Sequence, residues 1–106
     1  MSRHKELLDE FVVCINEARY YDAHEALEEI WFPRRFEDEQ EMKLLKGFIN
    51  AAVSFELVKR GRLASSEKVW KNYEKYRVLL GSFESEHGSR YTELAKLIEE
   101  TREELI

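Results

Sequence analysis

The chain has 106 residues, a length that one hydrophobic core can serve and two cannot. Hydrophobic residues make up 43% and charged residues 37%, which argues against disorder, while one proline and four glycines are too little turn punctuation for a sandwich or barrel. The net charge of −5 disfavours nucleic acid and anionic membrane as partners, and neither a signal-peptide core nor a run approaching the roughly 20 apolar residues of a membrane span is present, so a cytoplasmic protein is expected.

Residues 3 to 19 place Leu7, Leu8, Phe11, Val12, Ile15 and Ala18 at three- and four-residue intervals among charged positions, which predicts a first helix. Cys14 lies on its packing face as a small hydrophobe and, as the only cysteine, can form neither an internal disulfide nor a thiolate cage. Asp22 and Glu25 have capping-box spacing, so the second helix is expected from Ala23 to about Phe32, where Pro33 ends it. Asp38 and Glu41 repeat that spacing ahead of a third helix. Its two apolar stripes, Met42, Leu45, Ile49, Ala52, Val53 and Leu44, Phe48, Ala51, Phe55, Val58, should cover most of its circumference and make it the central helix. Lys59 and Arg60 followed by Gly61 predict its end, with glycine in the left-handed cap. A fourth helix from about Leu63 displays Val69, Trp70, Tyr73, Tyr76, Leu79 and Leu80 before Gly81, and the short connection predicts an antiparallel hairpin with the third. After the polar stretch SFESEHGSR, Ser89 or Thr92 is a candidate cap for a last helix carrying Tyr91, Leu94, Leu97, Ile98 and Leu105. The expected fold is a single-domain, all-α bundle of about five helices over residues 1–106.

The second helix holds the residues best placed for chemistry. In DAHEALEEIW, His24, Leu27, Glu28 and Trp31 fall on one helical face, with Glu25 about 100° away. An imidazole and a carboxylate one turn apart can bond each other or reach one cation, the interval at which metalloprotease helices hold metal, although the HExxH signature itself is absent. Three readings follow: a satisfied, partly buried pair; a ligand or metal pocket; a catalytic site with Glu25 as general base. Glu25 by itself reads as a cap, and Trp31 and Trp70 as core or interface anchors. Lys43, Lys46, Gly47, Asn50 and Ser54 form a polar line on the third helix, either a solvated face or one turned toward His24 and Glu28. A glycine inside a helix costs up to roughly 1 kcal/mol relative to alanine, so Gly47 is expected to mark a close helix approach. His4 and His87, near a terminus and in a loop, are not assigned as partners.

The runs YDAHEALEEIW and LLKGFINAAVSFELVKRGR resemble a small bacterial and archaeal family known as domain of unknown function 309, whose members carry AHExxExxW, then QGLIQxAAAxxH and a GN turn. The resemblance covers roughly residues 5 to 80, with His24, Glu25, Glu28, Trp31, Gly47 and Gly61 on the pattern. Lys46 and Asn50 stand where the family tends to have Gln, Glu56 where a His is common, and Arg62 where Asn is common. If the family's second His belongs to a site, this chain has changed it. The resemblance implies a compact helical bundle with the second and third helices in contact, and it brings no established activity.

Together these readings lead to a binding or interaction module with a pocket of His24, Glu25, Glu28, Trp31 and Asn50, facing the Gly47 to Asn50 segment. The alternative is a metal-dependent hydrolase with His24 and Glu28 as ligands, Glu56 as third donor and Glu25 as general base. Two tryptophans, five tyrosines and six phenylalanines exceed what five short helices readily bury. A homodimer is therefore expected, closed through Phe32 and Phe36 around Pro33, with Tyr76 and Phe83 as alternatives.

Overall fold

In the computed structural model, which describes residues 3–106, the apolar periodicities become five helices and no strand among the described residues. They are α1 (Arg3–Asn16), α2 (Tyr20–Trp31), α3 (Gln40–Lys59), α4 (Leu63–Arg77) and α5 (Gly88–Leu105), with a 3-10 turn at Phe32–Arg34. The fold is thus an all-α bundle. Both stripes on α3 are buried except for the half-buried Val53 and Val58, and α3 packs against α2, α4 and α5, while α1 packs against α2 and α5. Phe11, Leu27, Leu44, Phe48, Phe55, Tyr73, Tyr91 and Ile98 share one core to which every helix contributes.

Helix ends differ from the sequence reading. The first helix stops at Asn16 because Ala18 adopts a left-handed conformation (φ 58°). The Ala18 N–H donates to Ile15 and the Arg19 N–H to Cys14, the paired bonds of a Schellman cap. Gly61 (φ 76°) closes α3 with the same two bonds, to Val58 and Leu57, as its position predicts.

The second helix begins at Tyr20 rather than Ala23, since Asp22 pairs with Arg19 inside the first turn instead of capping it. Asp38 likewise pairs with Lys43, and Glu41 accepts hydrogen bonds from Tyr91 and Ser85, so neither forms the expected capping box. The last helix starts at Gly88 with His87 in the cap position; Ser89 and Thr92 lie inside it, where Thr92 donates back to the Gly88 carbonyl. Asp22, Asp38 and Glu41 thus each take a charged or hydroxyl partner in place of a free amide.

Gly47 does mark a close approach, but to α4. A Cβ there would stand 2.9 Å from Cβ of Tyr76 and 3.7 Å from the Tyr73 carbonyl oxygen. The polar line on α3 continues along this seam: Ser54 is buried, and its carbonyl accepts from the buried Ser66 hydroxyl at 2.8 Å. Of that line, Gly47 and Ser54 belong to the α3–α4 contact, whereas Lys43 and Lys46 remain exposed.

Candidate functional site

The short connector after Trp31 reverses the chain, so α2 and α3 run antiparallel. Trp31 lies under the Lys46 ammonium, 5.8 Å from its ring centroid, and His24 lies near Val53. Seven residues back along one helix match seven forward along the other, a helical rise of about 10.5 Å on each. His24 therefore faces Val53, Glu56, Leu57 and Arg60, about one to three turns beyond the Gly47 to Asn50 segment the sequence suggested.

His24 is partly buried, with Nδ1 3.2 Å from the Tyr21 carbonyl oxygen and Nε2 3.2 Å from Oε2 of Glu28. Both neighbours are acceptors. A neutral imidazole has one N–H and satisfies one of them, while the imidazolium satisfies both. The pairing of His24 with Glu28 is thus real, and the Glu28 carboxylate stays half open to solvent.

Beside this pair lies a cavity of about 280 Å³, lined by Tyr20, Tyr21 and His24 of α2 and by Val53, Glu56, Leu57 and Arg60 of α3. The tyrosine rings, Val53 and Leu57 supply apolar surface. Glu56 accepts from Arg60 Nε at 2.8 Å and forms the polar edge opposite His24. Burial, reinforced by the charges of Glu104 and Glu56, pushes the Tyr20 phenol above its usual range and keeps it neutral.

Only part of the predicted pocket is assembled here. His24 and Glu56 line the cavity, with Glu28 bonded to His24 at its margin. Glu25 is exposed on another face of α2, and half-buried Trp31 packs against the core at the far end of the helix. Asn50 is engaged at the α4 edge of α3 instead, donating to the Lys46 carbonyl at 2.7 Å and accepting from Asn72 of α4 at 3.3 Å. Among the described residues no three His, Cys, Asp or Glu side chains converge as donors for a cation, and Glu56 is bound to Arg60.

Sequence reasoning missed Tyr20, Tyr21, Leu57 and Arg60 as lining residues. Tyr20 and Tyr21 were set ahead of the helix by the Asp22 capping signal, yet they stand four and three residues before His24, on its side of the helix. The positions 53, 56, 57 and 60 have the same helical spacing on α3.

The His24–Glu28 pair on α2 and the α3 segment facing it both lie within the part of the chain that matches a known family. The family described as domain of unknown function (DUF309) matches residues 8–69, more than half of the chain, and the chain belongs to it. A protein of Aquifex aeolicus (strain VF5) titled "Uncharacterized protein" is 38% identical over 71 residues, covering 67% of this chain and 21% of its own length. The chain therefore spans about a fifth of that relative. No solved structure matches the present chain.

Proposed function

We propose that the protein is a binding module whose α2–α3 groove takes a small amphipathic molecule. The observation that carries this reading is the cavity of about 280 Å³ that places His24 beside apolar walls and opposite the Glu56–Arg60 pair. Its size suits a single ring or short branched chain, near the lower limit of small-molecule sites. The His24–Glu28 and Arg60–Glu56 pairs each offer an anion and a donor, so a head group bearing both signs, as in a free amino acid, meets a partner on either side. The HSQC spectrum titrated with phenylalanine, phenylacetate and phenethylamine tests this. Shifts should cluster at Tyr20, Tyr21, His24, Val53 and Leu57, be largest for phenylalanine, and vanish in Leu57→Trp, which fills the groove. No localised shift with any of the three at millimolar concentration rejects the reading.

A second observation supports assembly into a homodimer. Phe36 is 87% and Phe32 52% exposed, and the Arg35 guanidinium stacks on both rings, 4.5 and 3.7 Å from their centroids. An exposed patch of aromatic rings around an arginine has the composition in which interface cores are enriched, and a two-fold axis would set it against its own copy. The alternatives fit less well, since Phe83 packs against the core and Tyr76 is half-buried on the α3–α4 seam. No helix among the described residues is long and apolar enough to cross a membrane. The acidic surface and a lone buried cysteine, its thiol pushed up by burial, accord with residence in the cytoplasm.

A further inference from the structure

Two histidines that the sequence leaves apart meet at the end of the bundle formed by the α1 and α5 N-termini. The rings of His4, in the first turn of α1, and His87, capping α5, stack at 3.9 Å between centroids and 1° from parallel. Tyr91, one turn into α5 and wholly buried, presents its hydroxyl 2.8 Å from Nε2 of His4 and donates to the Glu41 carboxylate of α3. Since the phenol proton goes to Glu41, the phenol oxygen accepts from His4, which fixes the Nε2–H tautomer of the neutral ring. Ser85 donates to the same carboxylate oxygen at 2.8 Å and accepts the His87 backbone N–H at 3.1 Å.

We propose that the His4–His87 stack is an acid-released clasp, closed while both rings are neutral and opened when a second proton would place two cations in one stack. The groups facing it come from every neighbouring element. Arg34 of the 3-10 turn adds positive charge, although it is shared with Glu37 and Glu39, while Glu41 of α3 and Glu86 of the loop add negative charge. The carboxylates can accommodate one imidazolium; with Arg34 already present, a second meets repulsion at stacking distance. Burial first, then His87, with Arg34 adding to them against Glu41 and Glu86, holds His4 below the ordinary imidazole value of 6.5.

A histidine whose native form resists its proton contributes full stability above the unfolded value. That contribution falls as pH drops from 6.5 toward the depressed native range. Opening would free the first turn of α1 and connect the cavity of about 320 Å³ between His4, Arg34 and His87 with the buried Tyr91 hydroxyl.

Two measurements on the whole chain test the clasp. The Hε1 resonance of His4 should titrate below 6.5, and amide protection at Leu7 and Leu8 should drop at least tenfold between pH 7.5 and 5.0 while Leu45 of α3 keeps its protection. His87→Phe retains a stacked ring without its charge, so the His4 midpoint should rise and the protection loss should shrink below about threefold. A His4 midpoint at or above 6.5 in the unmodified chain, or undiminished acid loss in the double variant His4→Phe with His87→Phe, overturns the proposal.

Discussion

Ala18 holds φ at 58°, a region where a Cβ crowds the following carbonyl at a cost of roughly 1–2 kcal/mol, whereas the equivalent cap at Gly61 avoids that crowding. Ala18→Gly should therefore raise stability by about 1 kcal/mol, read as a higher denaturant midpoint with an unchanged slope. Gly61→Ala should lower stability by a similar amount. Gly47 is a different case, because its constraint is space: a Cβ at 2.9 Å from Tyr76 forces α3 and α4 apart. Gly47→Ala should cost about 1–3 kcal/mol despite the roughly 1 kcal/mol that alanine gains in helix propensity. Gly88→Ala, which meets nothing within 4 Å, is the control and should be neutral or slightly stabilising.

Among the elements, α5 is tied to its neighbours through buried phenols. Tyr73 of α4 and Arg77 both donate to one Glu99 oxygen, at 2.7 and 2.8 Å, and Tyr91 joins α5 to Glu41 of α3. Burial, followed by the hydrogen bond to a carboxylate, pushes both phenols far above the usual value of 10.0. The native state keeps these protons while the unfolded chain releases them near pH 10, so their contribution is complete below pH 10 and lost as pH rises above it. Helix content by circular dichroism and phenolate absorbance of these two residues should then change together in alkali. Tyr73→Phe should flatten the pH dependence above 10 and cost about 1 kcal/mol at pH 7 through the lost hydrogen bond. A complete phenolate signal with helix content intact would count against this coupling.

For the molecule as a whole, assembly through the Phe32–Phe36 patch has a direct measurement. Light scattering at micromolar concentration should give twice the chain mass, and Phe32→Ser with Phe36→Ser should return it to one chain. A monomeric mass that persists on concentration rejects the dimer, and a dimer that survives both substitutions rejects the interface. The groove is a separate matter because it lies at the His24 end of α2, whereas the aromatic patch follows Trp31. Ligand binding and assembly should accordingly vary independently, with Leu57→Trp leaving the mass unchanged.

The number, order and apolar faces of the helices were legible in the chain itself, because 3.6-residue periodicity, Pro33 and Gly61 act over a few residues and need no distant partner. The His24–Glu28 pair was legible for the same reason, both members lying on one turn of α2. The level of His24 beside Val53 was not, because the register of the antiparallel pair rests on the contact between Trp31 and Lys46. Tertiary structure alone decided the rest. Asp22, Asp38 and Glu41 left their caps for Arg19, Lys43 and Tyr91. Asn50 turned to Asn72, Gly47 to Tyr76, and His4 met His87 across most of the chain. Each of those choices is a competition between a local bond and one supplied by a distant segment, and only packing brings the distant competitor within reach.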